Sequence, residues 1–367
     1  MTDPATASAP GKGEVLVLNA GSSSLKVSVH GRTGTRLWSD QRSWSVGAAE
    51  GTAPQERLEA VLEAWLPEAL SAWGDGLTLA GHRVVHGGER FTAPVRLDPE
   101  VLDVLEELVP LAPLHNGPAL RVMRWLSRWK PELEQWACFD TAFHGTLPAA
   151  ARTYAIPARW RAQGLRRFGF HGLNHQHVAE SVALRRADAA GRDGLRLISC
   201  HLGAGCSLCA IRGGRSIATT MGYTPLEGLV MATRSGSVDP GLLLYQLRRG
   251  ATVEELAHDL QQESGLLGLS ELSPSMKDLR LAAAQGHGGA QLAIAVFRHQ
   301  LLQGIGAMAA SLGGVDVVAL TGGIGEHDGA LKKELEAELA WLGPFELLQI
   351  AADEEGVIAR HCIAAGP

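Results

Sequence analysis

Apolar residues fill Glu14–Asn19 almost without interruption, which predicts a short buried strand. A Gly/Ser turn follows, and then Ser24–His30, where apolar and polar positions alternate as in a second strand. Strand, small-residue turn, strand is a hairpin in outline, unlike the strand–loop–helix of a P-loop. A third strand is expected over Arg36–Val46, and strand-like runs recur at Leu77–Val85, Gln135–Phe139, Leu195–His201, Ser207–Arg212, Val315–Thr321 and Leu347–Ala352. Helical spacing of apolar residues predicts helices over Pro54–Trp73, Asp239–Arg249, Val253–Gln262, Gln291–Leu312 and Gly329–Trp341. Asp98 followed by Pro99 reads as the cap and first turn of another. The alternation of strands and helices predicts an α/β protein.

Leu16–Ser22 and Ile198–Gly205 each run an apolar strand into a small-residue turn and then into another strand. That repetition predicts a duplicated βββαβαβα unit, and the 367-residue length also exceeds one ordinary core. Pro148 and Pro157 punctuate the expected boundary, between Thr146 and Arg159. The expected division is a disordered tail at 1–13, an N-terminal domain at 14–147 joined by the C-terminal segment 354–367, and a C-terminal domain at 148–353.

Composition narrows the class. Hydrophobic residues make up 46% and charged residues 20%, as in a globular protein, and the formal net charge is -6. An acidic balance argues against a nucleic-acid backbone as partner, while local loops and arginines still accommodate small anions. Five cysteines, odd in number and irregular in spacing, predict reduced thiols, and Cys206 and Cys209 lack partners at zinc spacing. The N-terminus has neither a basic start nor an apolar stretch, so a cytoplasmic location is expected. The richest apolar stretch, Gln291–Leu320, is broken by Arg298, His299 and glycines, so no membrane span is expected.

The candidate chemistry lies at strand ends. In Asn19–Lys26, Gly21 allows a tight turn, three hydroxyls and backbone N–H groups suit phosphate oxygens, and Lys26 adds a point charge. An ordinary polar turn accounts equally well for this run alone. Two further glycine-rich loops, His201–Gly205 and Thr321–Glu326, follow apolar strands, and three such loops separated by whole structural units are improbable as accidents. Arg83 and Arg234 sit among apolar or small residues, where a buried cation requires an anionic partner. Two such arginines suit the oxygens of a transferring phosphoryl group. His171, within Arg167–Gly172, reads as a phosphate-facing donor rather than a zinc ligand. Asp140 ends an apolar strand and is placed either to orient an arginine or to bind metal, while Glu354 on its own reads as a solvated acidic turn.

The segments NAGSSSLK, GHRVVHGGE, LAPLHN, FDTAFHGTLP, RRFGFHG, HLGAG, MGYTPLEGLVMATRSG, TGGIGE and DEEGVIAR resemble, in order, the successive motifs of the acetate kinase family, from Leu16 to Arg360. The resemblance implies a two-domain sugar kinase/actin-like fold, built from duplicated RNase H-like units around an interdomain active-site cleft. It also implies dependence on Mg²⁺, with Mn²⁺ as a substitute, ATP/ADP as co-substrate, and a cytoplasmic homodimer. Carried over residue by residue, Asn19 and Glu354 would hold the metal and Arg83 the substrate carboxylate or acyl phosphate. Asp140 takes the catalytic carboxylate position, and His171 and Arg234 would stabilise the phosphoryl group. Val85, Leu114 and Pro225 fall at the acyl pocket. Lys26, His201, Leu202, Gly203, Ala204 and Gly205, with Gly322, Gly323, Ile324, Gly325 and Glu326, fall at the nucleotide. Ser275, Met276 and Lys277 take the adenosine-side segment.

Departures cluster at the donor side. Ala204 replaces the usual Asn of HLGNG, Ser275 and Lys277 replace an Asp and an Arg, and Leu173-Asn174 replaces Thr-Ser in FHGTSH. The expected reaction is reversible transfer from ATP to acetate, giving acetyl phosphate and ADP, without a nucleic-acid or membrane partner. Alternatives are a propionate or butyrate kinase, an acetate kinase with another phosphoryl donor, and a non-catalytic actin-like ATP-binding protein. The joint presence of Arg83, His171 and Arg234 disfavours the last.

Overall fold

The computed structural model describes residues 13–21, 23–44, 54–186 and 194–366. Positions 1–12 of the expected tail, Ser22 of the first turn, and Ser45 and Val46 of the expected third strand lie outside the described residues. The chain forms two compact units, one running to Phe143 and resuming at Asp353, the other His144–Ala352.

The first unit is built on β1 (Glu14–Ala20), β2 (Ser24–His30), β3 (Arg36–Ser43), β4 (Leu77–Val84), β5 (Val95–Arg96) and β6 (Glu134–Phe139), in the order β3-β2-β1-β4-β6-β5. The hairpin β1–β2 and its neighbour β3 are antiparallel, whereas β4 and β6 are parallel to β1. Val15–Leu18 are at most 1% exposed, because a strand sandwiched between layers is apolar on both faces. The expected single helix over 54–73 is two, α1 (Pro54–Ala64) and α2 (Leu66–Ala69). Pro67 has no N–H to bond back into α1, so the helix is interrupted at Trp65 and restarts with Pro67 in the first turn of α2. Next come α3 (Pro99–Glu107), which Asp98 caps by accepting from the Val101 N–H, and α4 (Pro113–Trp129). Pro113, Gly117 and Pro118 hid α4 in the sequence. Burial of Ala119, Leu120, Val122, Met123 and Leu126 holds it in place, so tertiary packing overrides local propensity.

The second unit is built on β7 (Arg196–Leu202), β8 (Cys206–Arg212), β9 (Arg215–Thr219), β10 (Val317–Thr321) and β11 (Glu346–Gln349), in the order β11-β10-β7-β8-β9. Its first three strands form an antiparallel meander, and the last two are parallel to the first. Both sheets therefore share one strand order, with the edge strand β5 an addition to the first. The helices used below are α5 (Gly172–Arg185), α6 (Pro240–Arg248), α7 (Met276–Ala284), α8 (Gly288–Leu312), α9 (Gly322–His327) and α10 (Gly329–Glu338). The helix expected over 253–262 ends at His258 and continues as a π-helical turn, Asp259–Glu263. The glycine-rich stretch after β10, expected as a loop, is helix α9.

Candidate active site

In the first unit the hairpin register sets the local chemistry. Asn19 and Lys26 are cross-strand partners on β1 and β2, and such pairs project side by side. Both reach Glu355: Asn19 Nδ2 donates to Oε1 at 3.0 Å and Lys26 Nζ to Oε2 at 2.9 Å. Glu355 lies in the first turn of the C-terminal helix Glu354–Ala365, which Asp353 caps by accepting from the Gly356 N–H. Two glutamates in that first turn suit the positive end of the helix dipole. Burial opposes the charge on Glu355, yet Lys26 and the Asn19 amide hold its carboxyl below the ordinary range.

Arg83 lies near the end of β4, and Asp140 directly follows β6. Arg83 Nε and Nη2 donate to the two oxygens of Asp140 at 3.0 and 2.7 Å, and Nη1 lies 2.7 Å from Glu354 Oε2. Asp140 is 1% exposed. Burial works against the guanidinium charge, but the Asp140 and Glu354 carboxylates outweigh it and raise the pKa of Arg83. Three carboxylates face two cations across Arg83, Lys26, Asp140, Glu354 and Glu355, leaving one net negative charge.

In the second unit, two periodicities meet. His171, Asn174 and His175 share one face at the start of α5, and Ser199 and His201 share one face of β7, with Ser207 opposite His201 on β8. Asn174 Nδ2 lies 2.8 Å from His201 Nδ1, and Ser207 Oγ lies 2.9 Å from both His171 Nδ1 and His175 Nε2. The His171 ring stacks on His201 with centroids 4.1 Å apart. His171 has φ of 56°, a left-handed backbone that is costly for a residue with a side chain and is found at constrained sites. Burial drives the pKa of His175 well down, helped by neighbouring His144 and His201, so its imidazole is neutral.

Gly205 closes the turn after β7. A side chain there would meet Arg234 Nη2 at 2.7 Å and His171 Nε2 at 3.1 Å, so glycine is what lets both groups reach the turn. Arg234 Nη1 donates to the Pro225 carbonyl at 2.7 Å. Among the described residues Arg234 makes no ion pair, and burial lowers its pKa. A half-buried guanidinium with only a carbonyl partner among the described residues is suited to meeting an anion.

Beside that turn the second unit holds a cavity of about 940 Å³. Gly203 and Ala204 line it from the turn, Ser275, Met276 and Lys277 from the start of α7, and Gly323 and Ile324 from α9. Three segments far apart in sequence thus converge, two of them from the glycine-rich stretches and one from the adenosine-side segment. Its polar side chains are largely engaged: Arg280 pairs with Asp328 and Glu334, and Ser275 Oγ caps α7 by accepting from the Asp278 N–H.

A family model described as the acetokinase family matches residues 14–361. The chain belongs to the acetokinase family. An acetate kinase from a Synechococcus strain is 43% identical over an alignment 398 positions long, gaps included, covering 95% of this chain and 98% of that one. Among solved structures, a propionate kinase from Francisella tularensis superposes with a TM-score of 0.85 at 32% identity, over 95% of this chain and 98% of that chain. The acetate kinase of Porphyromonas gingivalis does so with a TM-score of 0.81 at 30% identity, over 96% and 99%. The fold is therefore the two-domain, actin-like α/β fold of acetokinases, with one sheet in each unit.

The structure gives several sequence-derived candidates contacts within the protein. Glu354 is no solvated turn: it begins a helix and pairs with Arg83. Asn19 contacts Glu355 rather than Glu354. Lys26 belongs to the first unit and pairs with Glu355, whereas the cavity is lined by the second. Leu202 is buried in its sheet. Gly322 is also buried, with φ of 77°, and a side chain there would meet the Leu202 carbonyl at 2.8 Å, so close packing requires a glycine. Glu326 Oε1 accepts from the N–H groups of Gly322 and Ala352, which ties α9 to the segment after β11. Val85 follows β4, Leu114 is 49% exposed in the first turn of α4, and Pro225 is held to Arg234. Residues missed in the sequence include Glu355, Ser199, Ser207 and, in the cavity wall, Arg280 and Leu281. The last two follow Met276 and Lys277 at helical spacing, a signal that was available.

Proposed function

We propose that this acetokinase catalyses reversible phosphoryl transfer between ATP and acetate, giving acetyl phosphate and ADP. The observation that carries this is Arg234, a half-buried cation without a carboxylate partner, beside His171 Nε2 and the Gly203–Gly205 turn. The anion it would meet is the phosphoryl group, whose developing charge Arg234, the His171 donor and backbone N–H groups would stabilise. A carboxylate is already nucleophilic, so Asp140 is not needed as a strong base; it fixes the plane of Arg83, which meets the acyl group. Val85, Leu114 and Pro225 would wall the methyl group.

The first-unit cluster suits Mg²⁺. It offers oxygen donors and a net negative charge: the Asn19 amide nitrogen is hydrogen-bonded to Glu355, which leaves Asn19 Oδ1 as a donor, and Glu354, in the same helical turn as Glu355, supplies a carboxylate. Among the described residues no group of three or more His, Cys, Asp or Glu forms a cage, and Mg²⁺ ordinarily takes one or two carboxylates plus substrate phosphates. Bound Mg²⁺ would neutralise phosphate oxygens in flight, and Mn²⁺ would substitute. The nucleotide base would lie in the 940 Å³ cavity. Since Arg280 and Ser275 are engaged within the protein, it would be held by shape more than by hydrogen bonds, and other nucleoside triphosphates would serve as weaker donors.

The acid is the point of a second reading. Similarity to a propionate kinase matches that to an acetate kinase, so propionate or butyrate is the alternative acceptor. Trapping the acyl phosphate as a hydroxamate, across ATP, GTP and pyrophosphate against acetate, propionate and butyrate, tests both choices. Acetate with ATP should lead. Turnover with butyrate above acetate would overturn the acid, and turnover with pyrophosphate alone would overturn the donor. Self-association is supported by α6, an apolar helix with no buried residue, on which Leu242, Leu244, Tyr245 and Leu247 are 51%, 53%, 55% and 40% exposed. A homodimer by sedimentation that Tyr245→Glu dissociates is the expected result. A cytoplasmic location accords with five free cysteines. No helix among the described residues is long and apolar enough to cross a membrane.

A further inference from the structure

Behind His171 runs a chain of buried hydroxyl and imidazole groups that the transfer chemistry does not itself use. Ser199 Oγ lies 2.8 Å from His175 Nδ1, His175 Nε2 lies 2.9 Å from Ser207 Oγ, and Ser207 Oγ lies 2.9 Å from His171 Nδ1. Ser199, His175 and Ser207 are all 0% exposed. This chain joins the side chain of His175 to the ring of His171, whose Nε2 faces the turn at Gly205 and Arg234.

We propose that Ser207 and His175 are positioning residues that fix the tautomer of His171, so that its Nε2 carries the proton presented to the phosphoryl group. The inference rests on the role given to His171 above. Its logic is a count of protons. A neutral imidazole donates from one nitrogen and accepts at the other, and a hydroxyl has one proton to give. For His171 Nε2–H to donate outward, Nδ1 must accept, so the Ser207 hydroxyl proton must point at it. Ser207 Oγ is then an acceptor toward His175, whose proton must lie on Nε2, and His175 Nδ1 accepts from the Ser199 hydroxyl. Every group in the chain is satisfied in that one direction. Burial that keeps His175 neutral also keeps it from donating at both nitrogens. The left-handed backbone of His171 and its stacking on His201 hold the ring, and the hydroxyl chain sets which nitrogen is protonated. The arrangement is an imidazole oriented by its distal nitrogen, a role elsewhere filled by a carboxylate.

The test compares Ser207→Ala, His175→Gln and His171→Ala in the full-length enzyme, with imidazole ¹⁵N–¹H spectra alongside kinetics. Ser207→Ala should lower kcat about 10–100-fold, as loss of a histidine's distal partner does elsewhere, with KM values within about twofold. The His171 spectrum, assigned by its loss in His171→Ala, should move from a single Nε2–H tautomer to a mixture, and the pH dependence of kcat should shift. His175→Gln keeps an amide donor toward Ser207 and should retain most of the rate and the tautomer. An Nε2–H tautomer and pH profile unchanged in Ser207→Ala would overturn the proposal, whatever happens to the rate. Full activity of His171→Ala would instead overturn the role of His171 itself.

Discussion

Two sheets with the same strand order carry opposite electrostatics. In the first-unit cluster both cations are matched or outnumbered: Arg83 has Asp140 and Glu354, and Lys26 has Glu355. In the second, Arg234 has a carbonyl, and beside it lies the His171 imidazole, which meets the Ser207 hydroxyl. The shared topology brings both constellations to the loop ends of the central strands, so topology alone does not explain the difference. Local residues do: a helix beginning with two acids follows β11, and a helix beginning with two histidines and an asparagine covers β7. On the function proposed above, one unit would take a cation and a carboxylate gripped by arginine, and the other an anion that arrives with the substrate.

The largest expected effect is in the second unit. Arg234→Ala should cost about 10³–10⁵ in kcat, the range for an arginine facing a transferring phosphoryl group. Its melting temperature should stay level or rise, because the substitution removes a half-buried charge that no ion pair compensates. Normal turnover in a folded Arg234→Ala protein would abolish the contrast between the units. In the first unit the same substitution should behave differently. Arg83→Ala strands the buried Asp140 carboxylate, and loss of one partner from a buried pair typically costs about 3–5 kcal/mol. A clear drop in melting temperature is expected as well as lost turnover; stability equal to that of Arg234→Ala would break the comparison.

Acidification probes the neutral imidazoles. Burial pushes the pKa of His144 down to about 4 from 6.5, so between those values the unfolded chain binds more protons than the folded one. Stability from this group is complete above pH 6.5 and drains away as pH falls toward 4, by up to about 3 kcal/mol. Urea melts at pH 7.5 and 4.5 should show a larger acid loss for the wild type than for His144→Gln; equal losses would mean that His144 protonates in the fold without penalty. His82 in the first unit, also pushed down to about 4, should contribute with the same sign. The smallest effect concerns acid choice. Val85→Ala should move the kcat/KM ratio toward propionate by about 10–200-fold, the worth of one methylene in a pocket. An unchanged ratio would remove Val85 from the acyl wall.

Much of the fold was legible. Hydrophobic periodicity located the strands of both hairpins, and the repeated strand–turn–strand opening foretold two units of one topology. What was missed has identifiable causes. Three helix breakers near its start concealed α4, whose stability comes from burial. Pro67 was overlooked as a break, and the glycines of α9 read as loop because propensity says nothing about docking. Within the site, Arg83, Asp140, His171 and Arg234 stood out because charged or polar residues in apolar or glycine-rich surroundings are anomalous. Ser199, Ser207 and Glu355 did not, since a serine in a strand and a second acid at a helix start are ordinary locally.

By itself the sequence determined the class of elements, the duplicated order and, through motifs spread from Leu16 to Arg360, the acetokinase family. Those properties depend on local pattern and residue identity. Only the tertiary structure decided the partnerships: that Asn19 and Lys26 meet at Glu355, that Arg83 lies between two carboxylates, that Arg234 lacks one among the described residues, and that Ser207 joins two histidines. A partnership depends on which strand and helix faces pack together, and residues as far apart as Asn19 and Glu355 become neighbours only when the sheet and the C-terminal helix close on each other. The chemistry of a charged group is set by that neighbour, because burial makes an unpaired charge costly and a paired one rigid.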